Sequence, residues 1–564
     1  MTMSPAEPRI GAERPGPEYG FETVHPAVSL SHTSRRTRAL QLMAAAAIPL
    51  IAWLWLCAER PWRLGFSSDD WMILLHPDIG SARAFWDILQ IVVTRPASAP
   101  VIWLVQTLAD WSPFRAQIVN IAGLGLTALS VGWLAKRLAA VAGFSTESRL
   151  AAGSIAAATF ICFPSNVGTY AWSVGMLAAA PAVIPFCIGM VLLLEPHRNR
   201  AWEQSAGIVL LAISHLSYEA FYFQELTILI AAYVLAGSRP GRSAFILFTT
   251  VILLNVACVT FNRLLPGGIH KSFDPGWLSI FVRGYFRFTS VYFHAAREHL
   301  VLFGLSLAAS LVFGASCLAR ATDPSRVSRF LIVLMGGIGA AGILFAMAGY
   351  GLAAEGVMAR TSIVVATYAS ICMGIFAAAG WQQLKGPSIV WSLSRGSLCL
   401  AATMVLLFAM AVASRARLAE WEETWDYELA RLARLPTEYE FRSWSSDPSF
   451  YVLIENMDSL YSPAKAPHEI GGAIAWQLYK RSGNNDRQMM DELWHGEGSP
   501  WSTTTTSWFT RWNGETIEQG FCDGQLPVYT RRSPKLWVWN PAASTFAPVK
   551  PGWSHGCAKP PSRD

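Results

Sequence analysis

Two adjacent carboxylates, Asp69 and Asp70, lie in the stretch "GFSSDDWMIL", just after the first strongly apolar run of the chain. Apolar and aromatic neighbours, Trp71 among them, favour a partly dehydrated setting in which the pKa of a carboxylate rises and its charge interacts strongly. Such a group suits general-base chemistry on a hydroxyl. The structural alternative is that Asp69 caps a helix beginning at Trp71, because Asp is a favoured N-cap residue.

Three basic residues could stabilise negative charge on a phosphate near these carboxylates. Arg95 precedes a proline in "VVTRPASAPVIWLVQTL", whose short apolar part predicts a helix lying along the membrane interface. Its guanidinium suits a phosphate or a carboxylate partner, and both stay open. Arg360 precedes the tenth apolar run, where it either lines the same cavity or snorkels to lipid headgroups. Lys271 is the third candidate for the phosphate.

A further polar group interrupts the stretch "ISHLSYEAFYFQEL", where His215, Glu219 and Glu225 stand in otherwise apolar sequence. Ionisable residues are costly in a bilayer and usually face an internal cavity. We therefore predict a break between two short helices at Ser217–Tyr218, opening towards an outer cavity. The alternative is a polar pair, such as His215 with Glu219, that only fixes helix packing.

Metal binding is a second role that the acidic pair could have. Asp69 and Asp70, together with phosphate oxygens, would suit Mg²⁺ or Mn²⁺. The sequence contains no P-loop, dinucleotide glycine pattern, His/Cys cluster at metal spacing or nucleophile-elbow serine. Seven of the nine cysteines lie in or beside apolar runs and read as small buried side chains. Whether Cys522 and Cys557 form a disulfide stays open.

The elements that must position these residues are membrane helices. The 564 residues are 52% hydrophobic and only 15% charged, whereas a soluble chain carries nearer a quarter charged residues. The net charge of +6 is explained by basic loops, so nucleic acid is excluded as a partner class. About eleven apolar runs are long enough to cross a bilayer: 39–57, 116–135, 150–166, 174–194, 205–217, 220–236, 243–261, 299–319, 329–349, 361–380 and 397–414.

Alternate loops between these runs are rich in Arg and Lys, and the positive-inside rule then puts the N-terminus in the cytoplasm. Residues 1–38 are expected to be a disordered cytoplasmic tail, followed by a transmembrane domain over 39–414 with outer loops at 58–115 and 262–298. Residues 415–564 are expected to form a small α/β soluble domain outside, including a hairpin in "LPVYTRRSPKLWVWN". Ala-rich helices and the lack of Asn-X-Ser/Thr sites favour a bacterial inner membrane.

The order and sidedness of these motifs resemble a known family. An acidic pair in the first outer loop, an "RP" opening a juxtamembrane helix, an "S-x-E" interruption, a late outer Arg and a soluble C-terminal domain are similar to the GT-C class of polytopic membrane glycosyltransferases. In particular, they resemble bacterial and protein-mannosyltransferase-like members that use a polyprenyl-phosphate sugar. The resemblance implies a mainly α, polytopic transmembrane bundle of GT-C type.

The same resemblance implies transfer of a sugar from a polyprenyl-phosphate donor to a glycan, lipid or protein acceptor at the outer face, among membrane lipids. Asp69 and Asp70 match the acidic pair that supplies a base or orients the acceptor, while Arg95, Glu219 and Arg360 match other family positions. Many members have Asp-Glu where this chain has Asp-Asp, so which carboxylate is the base stays open. A single displacement implies inversion.

Two other classes of membrane protein remain as alternatives. A transporter or flippase of lipid-linked saccharides would share the phosphate-binding arginines without needing a base. An O-antigen polymerase or ligase would also use lipid-linked sugars, relying on outer-loop Arg and His residues. Against a transporter, the chain shows no inverted repeat, and its charged residues outside the cytoplasmic loops cluster on the predicted outer side.

Overall fold

The fold was analysed in a computed structural model. It describes residues 35–64, 73–74, 76, 78–171, 173–194, 201–237, 241–265, 276–295, 300–347, 361–384, 389–434, 451–454, 501–503, 508–521, 529–532, 535–540, 543 and 545–555. Within these ranges the chain is mainly helical up to residue 433 and forms strands beyond residue 450.

Each apolar run identified in the sequence coincides with a helix. The helices are α1 (Arg35–Cys57), α2 (Ala82–Ile91), α3 (Ala99–Ala109), α4 (Pro113–Val141), α5 (Thr146–Ile161), α6 (Val167–Tyr170), α7 (Ser173–Leu193), α8 (Ala201–Ser217), α9 (Gln224–Ala236), α10 (Arg242–Leu264), α11 (Trp277–Ala295), α12 (Leu300–Ala321), α13 (Pro324–Met347), α14 (Ile363–Gln383) and α15 (Ile389–Ala433).

Within the described ranges, fewer segments than the predicted eleven satisfy the length and hydropathy of a membrane span. Eight are long and apolar enough to cross a bilayer, and a ninth is the pair made by α5 and the Pro164–Tyr170 segment, which bends by 52°. The helix α8 has only 17 residues because it ends at the break after Ser217. The chain is thus a multi-pass integral membrane protein.

Small residues let the central helices approach closely. A Cβ at Gly132 of α4 would lie 2.6 Å from the carbonyl oxygen of Gly153 in α5, and one at Gly374 of α14 would lie 2.5 Å from that of Ala152. Gly at such contacts allows backbones to pack where lipid supplies little hydrophobic drive. The helices α4, α5 and α14 therefore form the packed centre of the bundle.

The last helix of the described chain is longer than the apolar run 397–414 from which it was predicted. The helix α15 continues from Ile389 to Ala433, so residue 415, the predicted start of the soluble domain, lies inside an unbroken helix. Beyond α15, the described residues form eight strands: β1 (Tyr451–Ile454), β2 (Trp501–Thr503), β3 (Trp508–Trp512), β4 (Thr516–Phe521), β5 (Tyr529–Arg532), β6 (Leu536–Asn540), β7 (Thr545–Pro548) and β8 (Ser554–His555).

The predicted hairpin between β5 and β6 is wrong. The strands form two four-stranded sheets, ordered β2-β1-β6-β7 and β5-β4-β3-β8. The strand β5 pairs with β4, whereas β6 lies in the other sheet between β1 and β7. The backbone groups of β6 are paired along both edges, one strand parallel and one antiparallel, which the sequence of a short local turn could not indicate.

Candidate functional site

Only part of the predicted site falls within the described residues. Asp69, Asp70, Trp71, Lys271 and Arg360 lie outside them. Their assigned roles as base, metal ligand, cavity residue and phosphate ligand therefore remain sequence predictions. Cys522 and Cys557 also lie outside the described residues, so whether they form a disulfide stays open. The other predicted residues, Arg95, His215 and Glu219, are described, and the geometry of the site is built from them.

The chain that follows the acidic pair is anchored to α3. Ile73 and Leu74 are buried, and the side-chain amide of Gln106 donates to the carbonyl oxygen of Ile73 at 2.8 Å. The indole N–H of Trp111 donates to the carbonyl oxygen of His76 at 2.9 Å. These contacts fix the first residues described after the acidic pair against the helix that Arg95 introduces.

His76 reinforces this anchor from inside the loop. Its side chain is fully buried, with Nε2 lying 3.0 Å from Asp87 Oδ2 and Nδ1 accepting from the backbone N–H of Asp78 at 3.0 Å. An Nδ1 that accepts requires Nε2 to carry the proton, which it donates to the carboxylate. The described residues around His76 are thus held by internal hydrogen bonds, as is usual for a buried polar side chain.

Arg95 occupies the junction between α2 and α3. It precedes a 3₁₀ turn at Pro96–Ser98, which leads directly into α3. Proline suits the first position of a helix because its φ is preset and its missing N–H would lack a helical partner there. The "RP" dipeptide therefore begins a short apolar helix, as the sequence predicted.

A bidentate ion pair joins Arg95 to Glu219, 124 residues further along the chain. Nε donates to Oε2 at 2.9 Å and Nη2 donates to Oε1 at 2.6 Å. The guanidinium also lies 4.9 Å from the ring centroid of Tyr218. The side chains are 22% and 34% exposed, so the pair borders open space and remains only partly desolvated.

Glu219 belongs to the break that the sequence predicted. The helix α8 ends at Ser217, Tyr218 is extended, and Glu219–Phe221 form one 3₁₀ turn before α9 begins at Gln224. A Ser98 hydroxyl donates to the carbonyl oxygen of Ser217 at 3.1 Å, so the 3₁₀ turn beside Arg95 also supports the end of α8. Irregular backbone at membrane depth is tolerated where protein groups satisfy it or where it lines a cavity.

Glu219 is more exposed to solvent than most of the described side chains of the break. Tyr218, Ala220, Phe221 and Tyr222 are each less than a tenth exposed, whereas Glu219 is about a third exposed. The break therefore turns its aromatic side chains into the bundle and presents a carboxylate, held by Arg95, to a less enclosed space.

The alternative pairing of His215 with Glu219 is wrong. His215 Nε2 lies 3.3 Å from Oε1 of Glu225, and both side chains are fully buried. An i,i+4 pair needs a continuous helix, and α8 ends two residues before Glu219. The two acidic residues of this stretch thus have different partners: Glu219 pairs with an arginine from the first loop, and Glu225 with a histidine from the preceding helix.

Sequence reasoning missed one participant, Asn255 of α10. Its side-chain amide donates to Glu225 Oε1, and its Oδ1 accepts from the backbone N–H of Phe223 at 2.7 Å. The available signal was a lone amide in the apolar stretch "VILLNVACV". Such a residue is expensive in a bilayer and therefore has a polar partner inside the bundle.

The described part of the site offers an ionic pair in place of a preformed metal centre. No group of three or more His, Cys, Asp or Glu side chains with metal-binding geometry occurs among the residues that the structure describes. The metal role predicted for Asp69 and Asp70 remains a prediction. What the described side chains supply is an oriented carboxylate and a guanidinium whose N–H groups point at anionic oxygen.

Comparisons with known proteins return a small set of solved structures. No protein-family model matches the sequence, and no curated protein matches it. The archaeal oligosaccharyltransferase AglB from Archaeoglobus fulgidus, in complex with an inhibitory peptide and a dolichol-phosphate, is similar at 12% identity and a TM-score of 0.42, over 79% of this chain and 64% of that one.

A structure of the Archaeoglobus fulgidus oligosaccharyltransferase tethered to an acceptor peptide is similar at 12% identity and a TM-score of 0.38, covering 77% of this chain and 63% of that one. Its complex with Zn and sulfate gives 13% identity and a TM-score of 0.37, covering 77% and 61%. The chain thus spans less than two thirds of the length of these structures.

Proposed function

We propose that this protein is a membrane glycosyltransferase of GT-C type that moves a sugar from a polyprenyl-phosphate donor to a hydroxyl acceptor at the outer face of the membrane. The observation that carries the proposal is the bidentate Arg95–Glu219 pair. It unites two of the sequence motifs of the resemblance, the "RP" and the "S-x-E", at the one helix break that the sequence had singled out.

The proposed chemistry assigns the base to the acidic pair. Asp69 is our first choice to take the proton of the acceptor hydroxyl as that oxygen attacks the anomeric carbon, with Asp70 orienting the acceptor or holding a divalent cation. The bond from the anomeric carbon to the phosphate oxygen breaks in the same displacement, so the configuration inverts. These assignments rest on the sequence motif.

Arg95 and Glu219 have complementary parts in this scheme. Negative charge develops on the departing lipid phosphate, and guanidinium groups stabilise it best in a site that excludes water. We assign that role to Arg95, with Arg360 and Lys271 as the other phosphate ligands predicted from sequence. Glu219, held by Arg95, accepts a hydrogen bond from the incoming acceptor and orients it.

The decisive experiment compares Asp69→Asn and Asp70→Asn with the wild-type protein in lipid nanodiscs. The probes are polyprenyl phosphates that carry a radiolabelled hexose or pentose, and transfer and donor binding are both measured. Loss of the base should lower turnover by roughly 10²-fold or more, because general-base catalysis contributes on that scale, while donor binding is retained. Wild-type rates in both Asn variants would remove the acidic pair from the mechanism.

Arg95 is tested against Arg115, a more exposed arginine in the first turn of α4. Arg115 forms a surface ion pair with Asp110 at 3.1 Å, with side chains 57% and 66% exposed. Arg95→Met should weaken binding of the lipid-phosphate donor, whereas Arg115→Met should leave it unchanged because its partner is exposed to solvent. Equal effects of the two variants would contradict a phosphate-binding role for Arg95.

The alternative functions make a different prediction in the same reconstituted system. A transporter of lipid-linked saccharides would move the labelled lipid between leaflets and keep its flux when both aspartates are replaced by Asn. An O-antigen polymerase or ligase would instead fail with single-sugar donors and accept lipid-linked oligosaccharides. The enzyme that we propose loses sugar transfer in the Asn variants, and these variants do not change the movement of the labelled lipid between leaflets.

The membrane orientation is part of the proposal. Basic loops on one side support a cytoplasmic N-terminus, an external C-terminal domain and residence in a bacterial inner membrane. Reporter domains fused after residues 140, 270 and 434 should be found inside, outside and outside. An inside signal after residue 434 would contradict the scheme and remove the outer face as the place of reaction.

A further inference from the structure

A polar side chain from a third helix binds both the break and the helix that follows it. Asn255 of α10 is fully buried, and its amide donates to Glu225 of α9 and to the carbonyl oxygen of Val251 at 2.9 Å. Its Oδ1 accepts from the backbone N–H of Phe223 at 2.7 Å. The amide of Asn255 therefore both donates to the helix after the break and accepts from the backbone of the break itself.

The connection extends to the helix before the break. Glu225 Oε1 lies 3.3 Å from Nε2 of His215 in the last turn of α8, and the His215 ring lies 5.4 Å from the ring of Tyr222. His215, Glu225 and Asn255 thus form a buried network, which we call the staple, that joins α8, α9 and α10. It closes over the six-residue interval between the two helices that carries Glu219.

The staple also fixes an unfavourable backbone conformation. Phe223 adopts φ of +64°, in the left-handed region that a bulky side chain rarely enters. Such a conformation persists only where the surroundings determine it, and here the Asn255 carbonyl oxygen holds the Phe223 N–H. The hydrogen bond from the Phe223 N–H to Asn255 thus fixes the direction in which the chain leaves the 3₁₀ turn of Glu219.

We infer that the staple positions Glu219 for the reaction, with Asn255 and Glu225 as positioning residues that never touch substrate. This inference rests on the proposed function and adds to it which residues hold Glu219 in place. Glu219 is fixed from the first loop by Arg95, and the backbone that carries it is fixed by the staple. A carboxylate that orients an acceptor must be held within fractions of an ångström, and misplacement by about 1 Å can cost up to about 10²-fold in rate.

The test uses four variants of the full-length protein in nanodiscs, all on α9 or α10. Asn255→Leu and Glu225→Leu remove the staple, whereas Glu225→Gln keeps an oxygen that accepts from Asn255 and His215. The control is Thr250→Ala on the same helix as Asn255, because the exposed Thr250 hydroxyl bonds only to Ile246 of its own helix, at 2.9 Å, among its described contacts.

Two readouts separate positioning from folding. We expect Asn255→Leu and Glu225→Leu to lower kcat for transfer from the labelled polyprenyl-phosphate sugar by roughly 10-fold or more, with the donor KM changed less than about twofold. Glu225→Gln and Thr250→Ala should stay within about threefold of wild type. Amide hydrogen exchange over residues 218–224 should speed up in the two Leu variants and stay slow in helices α13 and α14.

Each outcome decides the question. Unchanged amide exchange over 218–224 in both Leu variants overturns the inference. So does a loss of kcat in Glu225→Gln as large as in Glu225→Leu, because the reaction would then require the charge or proton of Glu225 and not its position. Faster exchange throughout the bundle would make the network a general stabiliser and also overturn it. If the wild-type protein transfers no sugar, the proposed function fails, while the exchange data still decide whether the staple holds the break.

Discussion

The Arg95–Glu219 pair gives the sharpest energetic prediction, because its geometry is bidentate and its solvent exposure lies between that of a surface pair and that of a buried pair. Two unit charges about 4 Å apart interact by about 4 kcal/mol at an effective dielectric constant of 20. Fully exposed pairs retain roughly 0.2–1 kcal/mol, and breaking a fully buried pair costs about 3–5 kcal/mol. At 22% and 34% exposure the pair lies between these limits, so we expect a coupling free energy of about 1–2 kcal/mol.

The assay is a double-mutant cycle on the free energy of unfolding, with Arg95→Met, Glu219→Gln and the double variant. Reversible unfolding in mixed detergent micelles is followed by the fluorescence of the 24 tryptophans. Arg95→Met should be the more costly single change, because it also removes the contact with the Tyr218 ring, worth about 0.5–1 kcal/mol. That contribution cancels in the cycle, which isolates the ion pair.

A parallel cycle on Arg115 and Asp110 is the control for this measurement. That pair is more than half exposed on both sides, and its coupling should not exceed about 0.5 kcal/mol. A coupling for Arg95 and Glu219 no larger than that of the control would refute the reasoning, since the pair would then contribute no more than an ordinary surface contact. A coupling near 1–2 kcal/mol would show that first loop and helix break are energetically joined.

Two further predictions concern stability. Gly132→Ala should destabilise the bundle by about 1–3 kcal/mol in the same unfolding assay, since its Cβ would lie 2.6 Å from the Gly153 carbonyl oxygen, while Gly336→Ala, with nothing within 4 Å, should be neutral or slightly stabilising. Equal effects would contradict close helix contact. Asp323, just before α13, accepts from the backbone N–H of Ser325, which lowers the pKa of Asp323. Its stabilising effect relative to Asp323→Ala should be complete above the unfolded pKa of about 3.9 and decline as the pH falls through the lower folded pKa; a pH-independent difference would refute this.

Local sequence was sufficient for the helices and for the place of the break. Every apolar run became a helix because a bilayer leaves the backbone no polar partner outside its own segment. The ionisable residues of "ISHLSYEAFYFQEL" marked the end of α8 at Ser217 for the same reason, since charge at membrane depth is tolerated only where it meets a partner or a cavity. The "RP" dipeptide likewise marked the start of a helix through the fixed φ of proline.

The partners in the site could not be read from spacing. The alternative to a break was a pair of His215 with Glu219, but the helix ends before Glu219, and the two side chains have other partners: His215 pairs with Glu225, and Glu219 pairs with Arg95. Arg95 reaches Glu219 across 124 residues, and Asn255 reaches Glu225 from another helix. Such pairings follow from helix packing, which is set by small-residue contacts such as Gly132 against Gly153 and leaves no local signature.

Strand pairing and helix continuity in the C-terminal region belong to the same category. The short interval between β5 and β6 suggested a hairpin, yet the two strands lie in different sheets: β5 pairs with the preceding strand β4, and β6 pairs with β1 and with the following strand β7. The amphipathic pattern after residue 415 did predict a helix. Only the tertiary structure shows that this helix and the preceding apolar run form one continuous helix, α15. Periodicity determines that an element forms, whereas long-range contacts decide which other elements it packs or pairs with.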